Sequence, residues 1–71
     1  MEVEAMNAAM ELYETKDEDK FLALCKEKGI DVRVISDKDH VKTFRVHNVV
    51  DAVLYYKPGK PKSVSVIVVP N

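Results

Sequence analysis

Between Val3 and Tyr13 the apolar residues Val3, Met6, Ala9, Met10 and Tyr13 recur at steps of three and four. That spacing puts them on one stripe of an amphipathic helix over about 3–14. Thr15-Lys16-Asp17-Glu18 then has the form of a capping box, the Thr15 hydroxyl accepting from the Glu18 amide while the Glu18 carboxylate reaches back. A second helix is predicted over about 16–28. Its acids at 17, 18 and 19 sit by the positive end of the helix dipole, its Lys26 and Lys28 by the negative end, and Gly29 is placed for a left-handed terminus. Phe21, Leu22, Leu24 and Cys25 make its apolar face. The spacing leaves open a helical hairpin or one rod kinked through 14–17.

After Gly29 the period changes from 3.6 to 2. Ile30, Val32 and Val34 alternate with Asp31 and Arg33, the pattern of a strand with one buried face. Ser36-Asp37-Lys38-Asp39 reads as a polar turn, and Val41 to Val46 as a second strand with Phe44 and Val46 on one side and Thr43 and Arg45 on the other. His47-Asn48 supplies the next turn, because asparagine tolerates positive φ, and leads into a third strand over Val49–Tyr56. The same stretch also fits a short helix capped by Asn48; its valines and two adjacent tyrosines favour the strand. Lys57-Pro58-Gly59-Lys60-Pro61-Lys62 is a loop by its prolines and glycine. Ser63 to Val69 is the clearest strand, with Val64, Val66 and Val68 on one face; its second half is apolar on both sides, as in a strand covered on two faces.

These elements predict an α+β fold in one small domain spanning 1–71: an N-terminal helical layer, one kinked or two helices, packed on a mostly antiparallel sheet of three to four strands. The inner sheet face would be drawn from Ile30, Val32, Val34, Phe44, Val46, Val53 or Leu54, Val64, Val66 and Val68. Ile35, Val49, one or both of Tyr55 and Tyr56, Ile67 and Val69 remain over, too many for a wet outer face. A 71-residue chain buries only about 60% of its extended surface. A homo-oligomer that covers the second face or pairs an edge strand is therefore expected.

Composition adds bounds. Hydrophobic residues make up 46% and charged residues 32%, too apolar for a disordered chain, yet no apolar run approaches the ~20 residues that cross a bilayer. The opening Met1-Glu2-Val3-Glu4 lacks the basic region of a signal peptide. With a single cysteine no internal disulfide forms, so a cytoplasmic home and no membrane partner are expected. Net charge is -1, but it is unevenly spread: residues 1–28 carry eight acids and four bases, residues 29–71 four acids and seven bases. The chain is acidic at its helices and basic at its strands.

Little points to catalysis. His40 and His47 lie near Asp37, Asp39 and Asp51 but lack the close ligand pair typical of zinc sites. Cys25 sits on an apolar helix face, and two glycines in all leave no room for a phosphate-cradling loop. No enzyme activity, metal or cofactor is expected. One constellation carries chemistry: Arg33, Lys42 and Arg45 on strands, Tyr55 and Tyr56 beside the loop, and Lys57, Lys60 and Lys62 on it. Lysines neutralise phosphates and an aromatic ring stacks on an unpaired base, so these residues are candidate nucleic-acid or anion contacts. Met1, Met6 and Met10 are candidates for an adaptable partner groove. Two functions follow: a small non-enzymatic interaction or regulatory module that binds protein through a sheet edge or the Met-rich helix, as a homo-oligomer, or a nucleic-acid-binding module using the basic sheet and loop.

Phe21-Leu22-x-Leu24 on a helix, a strand directly after it, Val50-Asp51-x-Val53-Leu54 in a later strand and a terminal Val68-Val69-Pro70 resemble the order of elements in Sm-like RNA-binding proteins of the Hfq kind. The resemblance covers 21–70 and implies RNA binding. The chain departs from that family in having no glycine between 31 and 58, no Asn-Gly first turn and no Lys-His signature before the last strand.

Overall fold

The computed structural model describes residues 2–70; Met1 lies outside them. Two helices, α1 (Glu2–Thr15) and α2 (Glu18–Lys28), precede four strands, β1 (Val32–Lys38), β2 (Val41–Val46), β3 (Val50–Tyr55) and β4 (Ser63–Val68). The strands form an antiparallel meander in the order β1-β2-β3-β4. Both helices pack on one face of this sheet, giving the α+β arrangement that the change of period at Gly29 predicts.

The helices form a hairpin. Lys16 breaks the chain with a left-handed φ of 54°, and the capping residue is Asp17, not Thr15: its side chain accepts from the Lys20 amide at 3.1 Å. Thr15 is instead the last residue of α1, where its hydroxyl donates to the Glu11 carbonyl at 2.8 Å and accepts from the Asp17 amide at 3.2 Å. A carboxylate outcompetes the hydroxyl because it accepts more strongly at the positive end of the dipole. The far end of α2 is closed as predicted. Gly29, at φ 67°, donates to Lys26 and Ile30 donates to Cys25 at 2.8 Å, a Schellman arrangement that brings the buried Ile30 and Cys25 together.

The face of α1 that meets the sheet differs from the predicted stripe. Ala5, Ala8, Ala9 and Leu12 are buried there, whereas Val3, Met10 and Tyr13 are 69%, 39% and 47% exposed. Three alanines let the helix backbone approach the sheet closely over β3 and β4, where it meets Ala52, also fully buried. Larger side chains would hold it off. Under α2 the core is aromatic, with Phe21 against Phe44 of β2. Val46, Val50, Leu54 and Val64 complete it.

Within 49–56 the chain is strand over Val50–Tyr55, as its valines and tyrosines favour. Leu54 faces the helices and Val53 the open side, which settles the inner position left between them. β1 runs further than the polar residues Ser36-Asp37-Lys38 imply, because a bulge between Val34 and Ser36 resets its register and edge pairing needs only backbone groups. The turn is just Asp39-His40, both at positive φ (56° and 65°), a two-residue hairpin. His47 and Asn48 make the next turn, at φ 52° and 59°, closed by the Val49 amide on the Val46 carbonyl at 3.0 Å.

β4 is not covered on two faces. It is an edge strand, and Ile67 and Val68 are 51% and 65% exposed. Val34, although on the helix side, is also exposed because α2 stops over β2 and leaves β1 open. No described helix is long and apolar enough to cross a membrane.

Candidate functional site

Strand parity divides the basic and aromatic candidates between the two faces of the sheet. Lys42 pairs with Leu54 and points toward the helices. Its ammonium lies 2.6 Å from Glu18 at the start of α2 and 5.4 Å from the centre of the Phe44 ring. The Glu18 carboxylate pushes the Lys42 pKa up. Tyr56 is on this side too, packed against the core; its amide extends the sheet to the His40 carbonyl at 2.9 Å and its hydroxyl donates to Asp37 at 2.8 Å. That hydrogen bond holds the phenol proton and raises the Tyr56 pKa. The His40 ring stands edge-on to Tyr56, with centroids 6.0 Å apart. Lys42 and Tyr56 are thus engaged on the helix side of the sheet and stand apart from the other candidates.

Arg33 and Arg45 share the open face as cross-strand partners. Two guanidinium groups directly opposed repel one another, and each is held by another group. Arg45 makes a two-pronged bond to Asp51, its own partner on β3, at 2.9 and 3.0 Å, which raises the arginine pKa. Arg33 donates to Asn48. This end of the open face is basic but internally satisfied.

Tyr55, Lys57 and Lys60 do come together. Tyr55 ends β3 on the open face opposite Ser63, the first residue of β4. The chain then turns at Lys57-Pro58-Gly59-Lys60, where the Lys60 amide donates to the Lys57 carbonyl at 3.1 Å and Gly59 has φ 75°. Proline second and glycine third at positive φ make a type II turn. Tyr55, Lys57, Lys60, Pro61 and Ser63 line an open cavity of about 270 Å³. No carboxylate is in its wall, and among the described residues the ion pairs engage Lys20, Lys42 and Arg45, not these lysines. Lys62 is exposed on the same loop, outside the cavity wall.

His40 and His47 stand at opposite ends of β2 and belong to separate turns. Cys25 is buried, and burial pushes its thiol pKa up.

A second surface was only half legible in the sequence. The Val69 amide donates to the Val49 carbonyl at 2.8 Å, which makes 49 and 69 a hydrogen-bonded pair in the β3–β4 register. Alternation along an antiparallel ladder then aims the amides and carbonyls of Val64, Val66 and Val68 at the free edge. No charge interrupts the strand from Ser63 to Val68. Above it lies α1, flanked by α2 on the β2 side, as the Lys20–Glu11 ion pair at 3.4 Å shows. A helical wheel places Met6 and Tyr13 on the opposite flank, toward the β4 edge, and turns Val3 and Met10 away from the sheet. Of the predicted stripe, Val3, Met10 and Tyr13 are turned outward, while Ala9 is buried and Met6 packs partly on the core.

Compared with known protein families, characterised proteins and solved structures, the chain matches none of them, and the Sm-like likeness gains no support.

Proposed function

We propose that the protein is a non-enzymatic interaction module that binds protein along the flank formed by β4 and the outer stripe of α1, and that its occupant is a second copy of the chain. One observation carries this reading: the uncharged strand edge of β4 is unpaired, and the exposed α1 residues Met10 and Tyr13 lie on the helix flank turned away from α2. The opposite edge, β1, is bulged and carries Arg33, Asp37 and Lys38, devices that discourage strand pairing. A two-fold axis through Val66 would pair β4 with itself antiparallel, setting Val64 opposite the partner's Val68. The helices of both copies would then share one side of an extended sheet, with their α1 stripes facing each other. An uncharged strand is a suitable mate for its own copy, since no like charges are opposed.

Sedimentation equilibrium tests the reading. Wild type is expected at twice the 8.1 kDa chain mass. Val68→Lys, at an exposed position, and Val66→Pro, which deletes only an outward amide, should sediment as folded monomers. Val34→Lys on the bulged edge should still associate. A wild-type protein that stays at the single-chain mass at tens of micromolar overturns the second copy as occupant.

A further inference from the structure

We infer that the cavity beside the Lys57–Lys60 turn binds a nucleotide unit of single-stranded nucleic acid, with the phosphate held between the two ammonium groups and the base on the Tyr55 ring. The site touches β4 only at Ser63, its first residue, and does not depend on self-association.

The argument begins with the turn. In a type II turn the first and fourth residues lie within about 7 Å at Cα, so Lys57 and Lys60 are brought together by backbone geometry, not by any partner that attracts them. Pro58 fixes one φ and Gly59 supplies the positive one, which leaves the turn few alternative shapes. Two cations are thus held near one another with no acid in the wall to offset their repulsion. By contrast, Lys42 has Glu18 and Arg45 has Asp51. An anion occupant offsets the repulsion, and a phosphodiester is an anion that the rest of the wall also suits.

That wall is a tyrosine ring, a proline ring and a serine hydroxyl. Tyr55 projects from the open face of the sheet, unlike Tyr56, whose hydroxyl is committed to Asp37. An exposed ring next to paired lysines is the combination by which single strands are held without sequence preference. A base inside a duplex has both faces stacked and offers none to Tyr55, so the geometry selects single strands. The polar positions Thr43, Ser63 and Ser65 share this face with Tyr55.

Fluorescence anisotropy with a labelled deoxythymidine oligomer, repeated over a salt series, tests the inference. Wild type should bind at low salt. Lys57→Gln with Lys60→Gln should weaken binding and reduce the slope of log affinity against log salt by about 0.7, the loss of one neutralised phosphate. Tyr55→Leu should lower affinity about tenfold with the slope unchanged, since stacking releases no counterions, and Tyr55→Phe should restore it. Circular dichroism confirms that these surface variants fold. The variant Val68→Lys, monomeric or not, should bind as wild type does. The inference is overturned by absence of binding at low salt, by a double lysine variant with unaltered slope, or by a duplex of equal length that competes as well as the single strand.

Discussion

The rings of Phe21 on α2 and Phe44 on β2 meet edge to face, with centroids 5.2 Å apart and planes at 63°. Both are fully buried, and they are the largest side chains joining α2 to the sheet. Truncating either to alanine is expected to cost about 3–5 kcal/mol. A double-mutant cycle in urea should find about 0.5–1.5 kcal/mol of coupling between them. Independent effects would show that the contact is area burial alone.

The alanine face of α1 makes the opposite kind of prediction. Ala8→Leu adds volume where the helix lies closest to β3 and β4 and should destabilise by about 1–3 kcal/mol. Met10→Ala, on the outer stripe, should leave the stability of the monomer nearly unchanged. Urea midpoints of the two variants, measured in the Val68→Lys background, compare them directly.

Positive φ is distributed unevenly between residues that favour it and residues that do not. Gly29 has open space where a Cβ would go, so Gly29→Ala should lose about 1 kcal/mol from left-handed strain alone. Asp39-His40 holds the same region with two side chains, and replacing the pair by Asn-Gly should gain about 1 kcal/mol. Thermal unfolding of both variants checks the signs.

Alkaline pH should loosen the end of the molecule where Tyr56 meets Asp37. Because the folded tyrosine keeps its proton more tightly than the free residue, the bond stabilises the protein below about pH 10 and is lost as pH rises through the raised value. Lys42 beside Glu18 acts in the same direction. Ultraviolet titration should show one late tyrosine that is missing in Tyr56→Phe, and that variant should show a shallower loss of stability above pH 10.

How much of this was legible in the sequence depends on how large a signal each residue carries. Gly29 announces its role because the left-handed terminus, the dipole charges and the change of period coincide there. The Ala5-Ala8-Ala9-Leu12 face was overlooked because alanine contributes little to an apolar pattern, although close approach depends on it. β1 was cut short at Ile35 because a bulge disrupts the period of two just where Ser36, Asp37 and Lys38 follow. In the candidate site, adjacency placed Tyr55 and Tyr56 together, whereas strand parity sends them to opposite faces. The pairing of Lys42 with Glu18 joins residues from different elements and had no local signal. The turn lysines were visible because Pro58 and Gly59 mark the turn between them.

The meander joins each strand to its neighbour in sequence, so the sheet zips from local hairpins. The core does not close in that way. Helix α1, the first of the described elements, rests mainly on β3 and β4, the last two of them. During synthesis its alanine face can meet β2 and β3 first, but its seat is completed only when the chain beyond Ser63 is available. The final strand thus acts as the latch of the domain: a nascent chain arrested before Ser63 should expose α1 to proteolysis, and the release of some further residues should protect it in one step.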